Sequence, residues 1–353
     1  MTGVFQQARS FAKCGTIFRI NKKQYLVGWG RQMWTDACSN SPSPAFFFPD
    51  FFLNDKNPWC YHEHTAILEG QEILDFLAPY VEEQEKITWS NPYRPVFENS
   101  FKEVQQLFHQ GLLKKAVLYV FDKFFQPLNS SQKLSALAHL IKNTQSESLH
   151  VYGFWNATEG MLGATPELLF DYSLDNHEVK TVACAGTYKN GEENLLKTPK
   201  NLYEHQLVIQ GITESLKELG LLSIGETEVV RFPTLSHLIT PIVIQLSRGL
   251  DFMTLTQVLH PTPALGAFPK NPGWTWLRQY QNLVPRGRFG APVGYVLPTH
   301  ARAKCYVGIR NIHWNSMETS MGAGCGIVAE SQLEMEWEEI LLKLRSIKEM
   351  MAL

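Results

Sequence analysis

The feature that most constrains this chain is a succession of strand-like runs with too little between them for helical crossovers. Leu149–Trp155, Glu167–Tyr172 and Glu178–Cys184 follow one another with only short breaks. Further on, Thr227–Phe232 is followed by His237–Leu246, and Ala291–Leu297 by Lys304–His313 and Glu318–Met321. A parallel strand pair needs a crossover of about a dozen residues or more, usually a helix, whereas short breaks serve antiparallel neighbours. The expected class is α+β, with antiparallel sheets carrying helices, and not a doubly wound sheet.

Helical spacing fills the gaps. Phe101, Val104, Leu107 and Phe108 make one stripe that stops at Gly111, and Leu134, Leu137, Ala138 and Ile141 make another after the cap candidates Asn129 and Ser130. A long helix is expected over Leu202–Leu219, stopped by Gly220, with shorter ones over Thr254–Leu259 and Trp274–Gln281 and an amphipathic one over Leu333–Met350. The apolar run Ala116–Phe121 suits a buried strand. Near the start, Thr16–Ile20 and Gln24–Trp29 flank a turn, and residues 35–60 read as loop with one short strand at Ala45–Phe48. The 353 residues allow one large domain or two medium ones. Asn91-Pro92-Tyr93-Arg94-Pro95 breaks structure, yet the segment before it is small for an independent core.

Charge excludes some functions. The 32 Lys and Arg against 34 Asp and Glu give a net charge of −2, too balanced for a partner held by bulk charge, so neither nucleic acid nor an anionic membrane is expected. No stretch reaches the ~20 apolar residues of a membrane span, and the first residues lack a secretory pattern. Cys14, Cys38, Cys60, Cys184, Cys305 and Cys325 are scattered without a CxxC pair, which fits reduced thiols in a cytoplasmic protein.

Several local patterns carry chemistry in principle. Glu336, Glu339 and Lys343 share a helix face, so two carboxylates there suit a hard cation such as Mg²⁺; the ordinary reading is a solvated charged face. Gly322-Ala323-Gly324-Cys325-Gly326 resembles an anion-binding turn, but it is not GxGxxG, there is no GxxxxGK[ST], and a tight strand crossing explains it as well. His62-Glu63-His64 lacks a third ligand and reads as an exposed polar turn. His260, in His260-Pro261-Thr262-Pro263, is either a donor held in a rigid turn or a structural histidine. Lys115 stands at a strand mouth, where lysines usually snorkel to the surface. Glu167 follows Pro166 and could point either way.

Taken in order, these patterns resemble the chorismate-utilising enzymes, the isochorismate, salicylate, anthranilate and aminodeoxychorismate synthases. The resemblance runs from about residue 100 to the end through nine blocks: Lys115–Leu118, Gly163–Leu169, Ala185–Thr187, Glu204-His205, His260–Gly266, Arg286-Gly287 with Pro292–Tyr295, Gly308–Arg310, Ala323–Val328 and Glu336–Glu339 with Lys343. It implies one large α/β domain of two antiparallel sheets with helices outside. Residues 1–95 would be its variable N-terminal part and 96–353 its catalytic region. It further implies Mg²⁺ on Glu204 and Glu339 with Glu336 close by, and Arg310 and Lys343 as partners for substrate carboxylates. Gly324 and Gly326 would offer backbone N–H groups. Gly186, Thr187 and His260 would line the site, with Leu265, Phe289 and Ile309 as its apolar wall.

Within the resemblance, Lys115 is the discriminator. Water-adding members carry a lysine here as general base, whereas anthranilate synthases carry a glutamine. Aminodeoxychorismate synthases tend to carry a lysine where this chain has Ala185. The implied reaction is isochorismate synthesis. Lys115 takes a proton from water attacking C2 of chorismate, and protonated Glu167 donates to the departing C4 hydroxyl. The alternatives are a salicylate synthase, which shares Lys115 but tends to be more polar where this chain has Ala264, Phe289 and Ile309, or an anthranilate-type or aminodeoxychorismate-type component. A non-catalytic chorismate binder is the remaining one. Tyr188, Val120, Pro285 and Ile340 depart from the usual pattern without removing a catalytic group. No glutaminase partner is expected, a monomer is favoured, and the product would feed menaquinone or siderophore synthesis.

Overall fold

The structure is a computed structural model that describes residues 9–38, 41–81, 87–144, 149–298 and 301–353. In chain order these form β1 (Gly15–Arg19), β2 (Gln24–Thr35), β3 (Ala45–Phe47) and β4 (Trp59–Glu69), then α1 (Gly70–Leu77) and α2 (Arg94–His109). β5 (Lys115–Phe124) and α3 (Ser130–Thr144) lead into four successive strands, β6 (His150–Trp155), β7 (Gly160–Thr165), β8 (Leu168–Ser173) and β9 (Glu178–Lys189). α4 (Pro199–Leu216) precedes β10 (Gly220–Ile224), β11 (Glu228–Arg231) and β12 (Leu235–Leu246). α5 (Phe252–Leu259), β13 (Ala267–Phe268) and α6 (Lys270–Leu283) follow. The chain closes with β14 (Pro292–Leu297), β15 (Arg302–Val307), β16 (Asn311–Trp314), β17 (Thr319–Ile327) and α7 (Leu333–Met351).

The strand pairs are antiparallel, as the short breaks require. Hydrogen bonds join them in one ribbon, β12–β9–β8–β15–β14–β3–β4–β2–β1–β6–β7–β16–β17–β5–β13, with β10 and β11 both on β12. The ribbon doubles back on itself. Phe18 of β1 meets Tyr295 of β14 with ring centroids 5.3 Å apart, and His150 of β6 stacks on Tyr306 of β15 at 4.4 Å, although neither strand pair is hydrogen-bonded. Two antiparallel layers thus face each other across an aromatic core of Phe18, Phe46, Phe48, Tyr152, Phe154 and Tyr306. The two expected sheets are these layers, joined into one network through β3, β4 and β2.

Helices cover the outer faces, each burying one apolar stripe. Val208, Ile212 and Leu216 of α4 and Leu255 and Leu259 of α5 pack on Phe170, Ala183 and Ile244. On the other layer Val104 of α2, Leu137 and Ile141 of α3, and Ile340, Leu344 and Ile347 of α7 pack on Leu118, Leu162 and Met321.

Several local expectations need correction. Lys304–His313 is two strands, β15 and β16, parted at Gly308–Arg310, and β7 lies in the stretch between Trp155 and Glu167 read as a break. Residues 59–69 form a strand rather than loop and turn. His62 points inward, its Nε2 2.8 Å from Thr16 Oγ1, while Glu63 and His64 are exposed; a register shift in β2 between Trp29 and Gln32 lies opposite them. Trp59 to His62 are buried in succession and most of the rest of the strand is exposed, so no period of two shows. The glycine run lies inside β17 and is neither a turn nor a crossing. Helix α4 begins three residues before the expected start, because extended Thr198 precedes Pro199 at the first helical position, where a missing N–H costs nothing.

Candidate active site

Where the layers present β5 and β17 on one side and β9 and β12 on the other, a narrow pocket opens, completed by α4 and α7. β5 supplies Lys115 and Val117, β17 supplies Gly322–Gly326, and β9 supplies Cys184–Thr187. Glu167 enters from the start of β8, and Ile309 and Arg310 from the turn after β15. Glu204 comes from α4, Glu339 and Lys343 from α7, and Leu265 and Phe289 from the connections around α6.

Lys115 is the first residue of its strand and is 1% exposed, so the snorkelling alternative does not hold. Its ammonium donates to Pro263 O at 2.7 Å and lies 3.3 Å from Glu204 Oε1. Gly326 explains how both fit: a Cβ there would overlap Glu204 Oε1 and stand 2.7 Å from Lys115 Nζ. The glycine is required by close approach of side chains, not by an unusual turn.

Glu167 is also buried, at 3% exposure. Burial pushes its carboxyl up to about 7, although Lys115, a hydrogen bond from Thr262 Oγ1 and Lys343 all oppose the rise. The Thr262 hydroxyl is 3.4 Å from Oε1. Near neutral pH this carboxyl holds its proton about half the time, which suits an acid catalyst. Lys115 and Glu167 therefore reach one cavity in different settings, a lysine nitrogen 3.3 Å from a carboxylate oxygen and a carboxyl held largely by burial.

The carboxylates beyond Lys115 form a cluster around a residue that the sequence reading missed. Lys200, one helical turn before Glu204 on α4, lies 3.1 Å from Glu204 Oε2 and 2.8 Å from Glu336 Oε1. Burial disfavours a carboxylate at Glu204, but Lys200 and Lys115 together outweigh it and hold the group down at about 2. Glu336 goes the other way. Burial raises it to about 7, Lys200 opposes, and the charges of Glu339 and Glu204 add to the rise. Glu339 pairs with Lys343 at 2.6 Å, and the same ammonium donates to Gly324 O at 2.6 Å. Glu336 does not line the inner pocket; with Lys200 and Glu339 it lines a wider outer cleft that reaches solvent.

Arg310 is fixed from behind. Its Nη2 lies 3.2 Å from His237 Nε2, and Nη1 donates to Ser346 Oγ at 3.5 Å. His237 Nδ1 in turn is 2.8 Å from Gly186 O, so its Nδ1 carries the proton and Nε2 accepts from the guanidinium. Burial first, then Arg310, lowers this imidazole to about 3, so it stays neutral. Thr187 Oγ1 stands 3.2 Å from the same Nδ1. His237 had no sequence signal beyond a histidine in an alternating strand.

One expected pocket residue lies elsewhere. His260 does not line the cavity; its Nε2 is 2.7 Å from Phe51 O and its ring packs edge-on against Phe51. It is the structural histidine, and it fastens the segment after β3 to the loop carrying Thr262 and Leu265.

Glu204, Glu336 and Glu339 offer the kind of oxygen a hard divalent cation takes. The donors are all carboxylate oxygens, and Glu336 Oε2 is buried without a partner among the described residues. No three acidic, histidine or cysteine side chains there stand close enough for a ready-made cage. Mg²⁺ does not need one, since it keeps several waters and takes one or two carboxylates.

Comparison with known proteins gives the family and the fold. The model of the chorismate binding enzymes matches residues 50–352. The salicylate biosynthesis isochorismate synthase of Pseudomonas aeruginosa is 30% identical over 251 residues, covering 68% of this chain and 51% of that protein. Isochorismate synthase MenF of Bacillus subtilis is 29% identical over 308 residues, covering 79% and 61%. The chain thus spans about half to three-fifths of the length of these relatives. Among solved structures, the menaquinone-specific isochorismate synthase MenF of Escherichia coli superposes with a TM-score of 0.75 at 18% identity, covering 99% of this chain and 91% of that one, a likeness of fold.

Proposed function

The chain belongs to the family of chorismate binding enzymes, and from that premise we propose that its pocket isomerises chorismate to isochorismate by adding water at C2 and releasing the C4 hydroxyl. The observation that carries this reading is the joint presence of Lys115 and Glu167 in one cavity, an amine and a carboxyl raised to about 7. Lys115, as the neutral amine, takes a proton from the attacking water, and protonated Glu167 gives one to the departing hydroxyl as the ring double bond shifts. One proton is taken and one is given, so the atoms balance and no redox partner is needed. Each group supplies a rate factor of about 10²–10⁴.

The remaining residues bind and orient. Arg310, locked by His237 and Ser346, and Lys343, anchored on Gly324 O, meet the substrate's carboxylates. Leu265, Phe289 and Ile309 pack on the apolar ring face. Glu204, Glu336 and Glu339 would hold Mg²⁺, which when bound offsets their charge and supplies a positive partner for the ring carboxylate. The reading needs no glutaminase subunit, because the nucleophile is water. Among the described residues no helix is long and apolar enough to cross a membrane.

Incubation with chorismate and Mg²⁺, followed by product separation, tests the proposal. Isochorismate is the expected product; salicylate with pyruvate, or anthranilate formed only with ammonium, replaces the reading by a sister activity. Lys115→Gln is expected to lower isochorismate formation by about 10²-fold or more. A loss of only a few fold removes the role given to the lysine.

A further inference from the structure

We propose that Lys200 is the resident cation of the carboxylate cluster, and that a divalent metal must displace it to bind. The inference rests on the reading of Glu204, Glu336 and Glu339 as metal ligands.

Three carboxyl groups and three lysines share this region. Lys115, Lys200 and Lys343 stand against Glu204, Glu336 and Glu339. Buried charges need such pairing, since an unpaired one is far more costly than a paired one. The three lysines are not held alike. Lys115 is also bonded to Pro263 O, and Lys343 to Gly324 O. Among the described residues the partners of Lys200 are the two carboxylates alone, Glu204 at 3.1 Å and Glu336 at 2.8 Å. It is therefore the ammonium with the fewest ties.

A single ammonium bridging two carboxylates sits where an oxygen-seeking divalent ion would be drawn, and it satisfies them incompletely. Glu336 Oε2 has no partner. An ammonium and a divalent ion cannot both lie within contact distance of the same oxygens without strong repulsion. Of the three lysines, Lys200 alone lines the outer cleft, whose walls also carry Glu192, Glu330 and Glu338. The cleft gives the metal a way in and the lysine a place to go, towards other acidic groups in water. The exchange has a charge consequence. A divalent ion that takes the place of one ammonium adds one positive charge to the site, and an anionic ligand offsets it. Metal alone should then bind weakly, and more tightly together with an anion.

The test is calorimetric titration of Mg²⁺, without substrate, into wild type, Lys200→Gln, Lys200→Arg and Glu336→Gln. Mn²⁺ followed by electron paramagnetic resonance serves as a second probe. Lys200→Gln is expected to bind Mg²⁺ about tenfold or more tightly than wild type, and Lys200→Arg, which keeps the charge, no more tightly than wild type. Glu336→Gln is expected to lose affinity. Lys200→Gln binding Mg²⁺ no better than wild type, while Glu336→Gln still loses it, overturns the inference and leaves the metal reading standing. Wild type and Glu336→Gln binding alike overturns the metal reading itself, and the inference with it. Should Lys200→Gln not fold without metal, refolding in Mg²⁺ becomes the measure: recovery is expected, and failure to recover overturns the displacement.

Discussion

Replacing Glu167 by glutamine should disable the enzyme and stabilise the fold, and the two effects have one cause. The carboxyl is buried and its pKa is raised from an ordinary 4.5 to about 7. The sign follows from proton counting. Below pH 4.5 both folded and unfolded chains keep the proton and no penalty exists. Between 4.5 and about 7 the unfolded chain releases it more readily than the folded one, so stability falls as pH rises; above 7 the penalty is complete. Its size is the displacement of the pKa converted to free energy, ~3 kcal/mol. Glutamine cannot ionise, keeps the volume, and its carbonyl still accepts from Thr262. Urea denaturation of wild type and Glu167→Gln at pH 5 and pH 8 is expected to show little difference at pH 5 and the variant more stable by ~3 kcal/mol at pH 8. Turnover of chorismate by the variant should fall by about 10²–10⁴-fold, and wild-type kcat/KM should decline above about pH 7 as the acid loses its proton. Identical pH dependence of stability in the two proteins refutes the claim that burial raises this carboxyl; an active variant refutes its role as the acid.

Gly326→Ala places a methyl against Glu204 and Lys115, so it should cost about 10²-fold in turnover through misplacement of both groups while the melting temperature moves little; an unaffected rate means Lys115 is not positioned where the mechanism needs it. His237→Ala removes the rear support of Arg310, and KM for chorismate should rise about tenfold with kcat changed less. A fall in kcat at constant KM would instead give His237 a part in the chemistry.

The fold class was legible because antiparallel neighbours need only short connections, and that rule works on β8 to β9, β11 to β12 and β14 to β15 without any knowledge of the core, while β7 went unread and β15 and β16 were read as one strand. β4 was not legible because Trp59 to His62 are buried in succession and most of the rest is exposed, so no period of two appears, and His62 is a polar residue buried with Thr16 as partner, which hydropathy cannot register. In the site, the same distinction separates what could be read from what could not. Glu336, Glu339 and Lys343 announce themselves as one helix face, and Lys200 to Glu204 is a spacing of four that could have been noticed once α4 was extended by a turn to Pro199. His237 and His260 exchange the places a reader would assign them. The histidine ahead of two prolines turns its ring to Phe51 O, and the one in a plain alternating strand holds the pocket arginine. Local sequence reports which residues share a face. Which face meets the cavity is decided by how the ribbon folds back and by buried polar bonds across some fifty to two hundred positions, such as Thr187 to His237 and His260 to Phe51. A charged group such as Lys115 can be buried at a strand mouth only because that distant assembly supplies Glu204 and Pro263 O to receive it. Burial of its partner Glu204 and of Glu167 follows from the same closure, so the chemistry of the pocket is a property of the folded ribbon rather than of any one block of sequence.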